Sequence, residues 1–381
     1  MRTHHALLIA LATACLTTTA RAAVGDVVLR ETTQQTPIRV EVVAEGLDTP
    51  WGLAFLPDGR YLVTERDGRL RVVGNDGGLS APVGGVPEVQ ARGQSGLLDV
   101  ALAPDFAQSS MIYLSYSEPT SGGVRTAVAR GVLDLEQLKL DKVERIFAQN
   151  EDPSGRLHWG SRLVFARDGT LFITLGDRYN HRDQAQVLSS HIGKIVRVQP
   201  DGTVPPDNPF VGRKDAVPEV WSYGHRNIQG AALHPRTGVL WTHEHGPQGG
   251  DEVNIGEAGA NYGWPVITHG REYGLGTRIG EGTERADVKA ALHVWIPSIA
   301  PSGMAFVTHD AIPGWNGSLL VGALRGQLLA RLTLDGDKVV AEERMLTGLH
   351  ARLRDVREGP DGVIYLLDES NGRILRVVAD K

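Results

Sequence analysis

Three groups of residues in this chain carry side chains able to do chemistry. The first is His158, in His158-Trp159-Gly160-Ser161-Arg162, with the dipeptide Gly176-Asp177 further along. A carboxylate that takes one imidazole nitrogen leaves the other free as a base, the arrangement found in hydrolytic triads. A histidine satisfied within the structure and an aspartate capping a turn would read the same way in sequence. The second group is cationic: Arg226 in Gly224-His225-Arg226-Asn227, Arg325 in Ala323-Leu324-Arg325-Gly326, and Arg352-Leu353-Arg354-Asp355. Alternate residues of a strand share a face, so Arg352 and Arg354 can present two guanidinium groups to one polycarboxylate or phosphate. A solvated strand face paired with nearby acids is the other reading. The third group is the acid- and carbonyl-rich stretch from Glu244 to Tyr262, which suits a hard cation such as calcium, or an ordinary acidic turn.

Several other chemistries have no motif here. The chain lacks a Gly-x-Gly-x-x-Gly turn between strand and helix, a Gly-Lys-Ser/Thr loop, His-Glu-x-x-His and Gly-x-Ser-x-Gly. Its single cysteine, Cys15, excludes Cys-based zinc spacing. A formal net charge of -6, from 39 Lys+Arg against 45 Asp+Glu, argues against a broad nucleic-acid face. Partners are expected to be small molecules.

The elements that must position these groups follow from composition and repetition. Residues 1–22 are expected to be a secretory signal: Arg2, an apolar run from Ala6 to Leu16, then Ala20-Arg21-Ala22 before Ala23. That run is too short to span a bilayer of roughly 30 Å, so no membrane span is expected. Cleavage there leaves a more acidic chain without cysteine, in the periplasm or secreted. Cys15 after Ala12-Thr13-Ala14 loosely resembles a lipidation site, but a large aliphatic residue is expected where Ala12 stands.

With 46 Gly, 20 Pro and 6% aromatic residues, many short strands are favoured over long helices. A turn pair followed by alternating apolar residues recurs at six places: Asp58-Gly59, Pro104-Asp105, Asp168-Gly169, Thr237-Gly238, Asn316-Gly317 and Asp361-Gly362. One sixth of the mature length is about 60 residues, enough for a four-stranded blade with long loops. The expected fold is all-β: one domain over residues 23–381, a six-bladed β-propeller of four-stranded antiparallel blades. An N-terminal strand around Arg39-Val40-Glu41-Val42-Val43 is expected to pair into the last blade and close the ring. The longest interval between turns leaves surplus chain between residues 243 and 300, rich in Gly, His and Trp, where loops can build a site.

Taken together these residues resemble the soluble quinoprotein glucose/sorbosone dehydrogenase family, in particular its periplasmic aldose sugar dehydrogenases, over about residues 38 to 378. The resemblance is carried by Leu47-Asp48-Thr49-Pro50-Trp51-Gly52, Gln94-Ser95-Gly96-Leu97-Leu98-Asp99-Val100-Ala101, the His158 segment with Gly176-Asp177, and Gly224-His225-Arg226-Asn227. It continues through Glu244-His245-Gly246-Pro247, Gly249-Gly250-Asp251-Glu252, Asn261-Tyr262-Gly263-Trp264-Pro265 and Arg352-Leu353-Arg354-Asp355.

The resemblance implies a propeller that binds pyrroloquinoline quinone (PQQ) and Ca2+ and oxidises the anomeric hydroxyl of an aldose to the lactone by hydride transfer. His158 would be the general base and Asp177 its orienting carboxylate. Gln94, Arg226 and Asn227 would contact the quinone, with Arg226 also stabilising charge; Arg325, Arg352 and Arg354 would hold its carboxylates. Lysine is common in the family where Arg325 stands. Gly246 and Pro247 would offer carbonyls to a calcium touching the cofactor, and Glu252 and Tyr262 match positions of a separate structural ion. Electrons would pass to a soluble acceptor that no motif identifies. A calcium-dependent propeller hydrolase of lactones or phosphoesters, and a non-enzymatic glycan-binding propeller, are the competing expectations.

Overall fold

The structure, a computed structural model, describes residues 23–380. The expected signal segment and Cys15 lie outside the described residues. The chain forms six antiparallel sheets. In each, the turn singled out in the sequence leads into the second strand: Tyr61–Glu65, Met111–Pro119, Leu171–Leu175, Leu240–Glu244, Leu319–Ala323 and Ile364–Asp368. The local cause is visible at Asp168-Gly169, where the Asp168 carboxylate accepts from Thr170 N at 3.0 Å and Gly169 takes a φ of 84°, a backbone that favours glycine. At Pro104-Asp105 the tight turn is replaced by one helical turn, Phe106–Ser109, which is the sole α-helix among the described residues. None of their helices is long and apolar enough to cross a membrane.

The first strands of the sheets, Pro50–Phe55, Leu97–Leu102, Gly160–Phe165, Ile228–Leu233, Pro301–Phe306 and Leu353–Glu358, pack against one another in sequence and back to the start, closing a ring. This is a six-bladed β-propeller. Four blades have four strands. The first has three, its fourth reduced to a segment whose Ser80 N and Val83 N donate to the carbonyls of Val72 and Leu70. The last has five, because Pro37–Glu45 adds onto Arg373–Ala379 in the register Val40↔Val377 and Val27–Thr32 adds outside it. The expected closure by an N-terminal strand is therefore what the chain does, and the closing strand loses its open edge. Apolar layers lie between blades, as where Leu53 and Val63 meet Leu367 and Ile374.

All six inner strands break register near their first residues. Such bulges re-aim side chains, and the residues at these breaks include Asp99, Arg162, Gln229 and Arg354. The freed N–H groups are met by hydroxyls of the second strands: Gly52 N by Thr64, Asp99 N by Ser115 and Arg162 N by Thr174, each at 2.9 Å. The Ser115 hydroxyl then donates to the Ser161 carbonyl of the next blade at 2.6 Å. On the axis, Arg162 Nη1 lies 3.3 Å from Asp99 and 3.0 Å from Asp355, while Arg357 pairs with both acids at 3.0 Å. The carboxylates also accept backbone N–H groups from other blades, Leu163 N at 3.0 Å and Leu53 N at 3.1 Å.

Replacing Arg162 by Met should leave two buried acids sharing one guanidinium and cost about 3–5 kcal/mol in denaturant unfolding, whereas Arg213→Gln in an exposed pair should stay within about 0.5 kcal/mol.

Candidate functional site

His158 precedes the inner strand of the third blade with a φ of 56°, uncommon for a side-chain-bearing residue. Gly176 makes this possible: a Cβ there would fall 2.1 Å from the His158 carbonyl oxygen, so only glycine lets the end of strand Leu171–Leu175 run alongside. Asp177 follows, and its Oδ1 lies 2.6 Å from His158 Nδ1. The same carboxylate accepts from Tyr179 N and from the indole N–H of Trp264, both at 2.8 Å. Burial alone would raise the Asp177 pKa, but the bond from His158 and the Arg226 charge hold it below the ordinary carboxylate range. An ionised acceptor fixes the imidazole proton on Nδ1. Nε2 makes no hydrogen bond among the described residues. Burial, then the Arg226 charge, lowers the His158 pKa against the pull of Asp177, so the ring is neutral near pH 7.

Arg226 faces this pair. Its backbone N–H donates to Glu244 at 2.5 Å, and Glu244 is itself held by His225 Nδ1 at 2.9 Å. The guanidinium donates from Nη1 to the carbonyls of His245 at 3.0 Å and Gly246 at 2.9 Å and lies 5.3 Å from the centre of the Trp264 ring. Its Nε is buried without a partner. His158, Asp177, Tyr179, Arg182, Arg226, Pro247, Trp264, Glu272 and Tyr273 line a cavity of 290 Å³. The surplus chain between residues 243 and 300 thus supplies part of its wall, and an Arg182–Glu272 ion pair at 2.5 Å ties that insertion to the third blade.

The remaining expected residues divide. Gln94 accepts from His158 N at 2.8 Å, so it borders the base. Asn227 accepts from Gly160 N at 3.2 Å and from Gln229 at 3.3 Å, and Gln229 in turn accepts from Arg354 at 3.1 Å. Arg352 and Arg354 do converge, but on Glu369, at 3.1 and 3.2 Å. Arg325 does not join them through any hydrogen bond of its side chain; it is exposed. The polar chain from Asn227 to the arginines therefore runs through Gln229 and Glu369, which no motif flagged, and Trp264 lies inside a quoted motif without a role.

The metal candidates are near one another. A chamber of 10 Å³, about one water-sized sphere, is bounded by Glu244, Gly246, Gly250, Glu252, Tyr262 and Thr268 among others. Burial followed by the Glu244 charge pushes the Glu252 carboxyl up to about 8, against the pull of Asn254. The Tyr262 hydroxyl is spent, donating to the Ile255 carbonyl at 2.7 Å and accepting from Glu257 N at 3.0 Å, which leaves its carbonyl as the possible donor. Among the described residues no group of three or more His, Cys, Asp or Glu side chains forms a metal cluster.

A buried His–Asp pair opening on a cavity faced by arginine, at one end of a six-bladed ring, defines a class of propeller enzyme. Residues 47–376 match the Glucose / Sorbosone dehydrogenase family, and the chain belongs to it. It is 48% identical over 345 residues to the aldose sugar dehydrogenase YliI of Escherichia coli K12, covering 89% of this chain and 92% of the relative. The apo-form structure of the soluble aldose sugar dehydrogenase from Escherichia coli superposes with a TM-score of 0.87 at 47% identity, covering 90% of this chain and all of the other. The PQQ-bound form of an aldose sugar dehydrogenase from Streptomyces coelicolor gives a TM-score of 0.75 at 31% identity, covering 92% and 100%. The chain is an oxidoreductase of this family.

Trp264→Phe keeps the ring but removes one of the donors to Asp177. The imidazole pKa of His158, read by nitrogen NMR, should rise, because a carboxylate with one donor fewer holds an imidazolium more strongly; an unchanged value would remove Trp264 from the pair's support.

Proposed function

We propose that this protein oxidises the anomeric hydroxyl of an aldose to the lactone, with PQQ as hydride acceptor and calcium beside it. The observation that carries this reading is the neutral imidazole of His158, held by Asp177 through Nδ1 and open at Nε2 to the 290 Å³ cavity that Arg226 also lines. Nε2 takes the proton of the sugar hydroxyl as the carbon–hydrogen bond at the same carbon breaks, which makes hydride departure easier. Asp177 stabilises the imidazolium that results, and Trp264 and Tyr179 fix Asp177. The quinone, when bound, supplies the electrophilic carbon that accepts the hydride.

The residues present fit that group. The buried, unpartnered Nε of Arg226 is a donor awaiting an acceptor at the cavity. Gln94, Asn227 and Arg226 would contact the quinone, and Arg352 and Arg354, with Arg325 at the periphery, its carboxylates. Carbonyls of Gly246 and Pro247 would serve the calcium at the cofactor; Glu252 and the Tyr262 carbonyl would serve a second ion, whose charge would relieve the repulsion between Glu244 and Glu252. A soluble acceptor would then reoxidise the enzyme. The same reading places the protein in the periplasm or outside the cell after removal of residues 1–22.

The test is an absorbance titration of apo protein with PQQ and calcium, followed by an aldose. Bleaching of the oxidised spectrum is expected; lactone hydrolysis without quinone, and no bleaching, would favour a hydrolase instead. His158→Ala should lower kcat by about 10²–10⁴-fold while quinone still binds. Because His158 must be neutral, kcat/KM should rise with pH through its lowered pKa, putting the acid limb below the ordinary imidazole range. Glu252→Gln should shrink the calcium-induced rise in melting temperature, since less binding energy is linked to folding.

A further inference from the structure

We propose that Arg66 is a further cofactor-anchoring residue, its guanidinium taking a carboxylate of the quinone. The inference rests on the PQQ reading above. Arg66 follows the strand Tyr61–Glu65 of the first blade. Its carbonyl accepts from Leu97 N at 3.1 Å, and Gly96, at a φ of 145°, would place a Cβ only 1.7 Å from that oxygen. The loop bearing Gln94 is therefore seated directly on the Arg66 backbone, and Gln94 holds the backbone N–H of His158 at 2.8 Å. Arg66 thus stands at the catalytic end of the ring, beside the imidazole's own support.

Its side chain points across to the last blade. Nη1 lies 3.7 Å from Glu369, beyond hydrogen-bond range, and the guanidinium donates no hydrogen bond among the described residues. Glu369, 8% exposed, already serves Arg352 at 3.1 Å and Arg354 at 3.2 Å. Three guanidinium groups share one carboxylate. The acids nearest Arg66 in sequence are engaged elsewhere: Asp48, Glu65 and Asp67 each pair with Arg69, at 3.2, 2.7 and 2.5 Å. Half-buried cations in excess of their counter-charge favour an added anion, and a planar guanidinium suits a carboxylate. Arg325, by contrast, is exposed and makes no ion pair among the described residues. The geometry therefore ranks Arg66 above Arg325 as the third cation for a tricarboxylate.

The experiment titrates PQQ, with saturating calcium, into apo wild type, Arg66→Gln, Arg66→Lys and Arg213→Gln, reading quinone absorbance and the thermal melting of each. Arg66→Gln should weaken binding by about tenfold or more, as expected for a lost charge-assisted bond, with Arg213→Gln, in an exposed pair away from the site, within about twofold and the melting temperature of both near wild type. Arg66→Lys, which keeps the charge without the fork, should lie between; it carries the test if the glutamine variant does not fold. Wild-type binding with all Arg66 variants equal to it would overturn this inference alone. Absence of quinone binding by wild type would overturn the functional reading beneath it.

Discussion

The propeller depends on a small lattice of opposite charges sealed on its axis. Asp99 and Asp355, both fully buried, share Arg162 and Arg357 and accept the backbone N–H groups of Leu163, beside Arg162, and of Leu53 in the first blade. Burying an ion pair gains little by itself and is tolerated when every partner is satisfied. Here satisfaction requires contributions from several blades at once: Arg162 also donates to the Gln229 carbonyl at 2.7 Å and the Arg354 carbonyl at 3.2 Å. The lattice therefore ties together blades one, two, three, four and six. Its members sit at or beside the inner-strand bulges, so the irregularities that weaken each sheet's ladder are the features that join sheet to sheet.

The catalytic end inherits its order from that lattice. Gln229 and Arg354 each give the axis a backbone carbonyl and the site a side chain. Around them the two carboxylates best placed for chemistry do different work. Asp177 spends its lone pairs on one imidazole, one indole and one backbone N–H. Glu244 instead fixes the backbone of Arg226 and the ring of His225, which stacks on Tyr262 at 4.5 Å. The cavity wall is therefore mixed in charge, Arg182 and Arg226 standing among Asp177, Asp183 and Glu272, while Glu244 lies behind Arg226 and fixes its backbone.

Much of this was legible in the sequence. Turn pairs such as Asp168-Gly169 mark second strands because their side-chain and left-handed backbone requirements are local, and the closing strand Pro37–Glu45 reads from alternation alone. His158 and Asp177 were found as a pair by residue type and motif. Less legible were contacts fixed by the ring as a whole. Alternation on one strand suggested that Arg352 and Arg354 meet one ligand; the structure puts Arg352 just before the strand, Arg354 within its bulge, and a protein carboxylate between them. Nothing local signals Glu369 or Gln229, because their partners lie in other blades or across a hairpin. Trp264 carried a signal in its Asn-Tyr-Gly-Trp-Pro setting, but not the identity of the acid it serves.

Closure by Pro37–Glu45 against Arg373–Ala379 joins the earliest described strands of the chain to the last. During synthesis Pro37–Glu45 can pair with Val27–Thr32, but its inner edge must wait until the final strand has left the ribosome. Contacts of such long sequence separation are slow to form, and a nascent chain lacking its C-terminus has neither a closed ring nor Arg352, Arg354 and Glu369 at its catalytic end. A truncated chain is therefore expected to keep local hairpins while losing the junction at which Arg66 of the first blade meets Glu369 of the last.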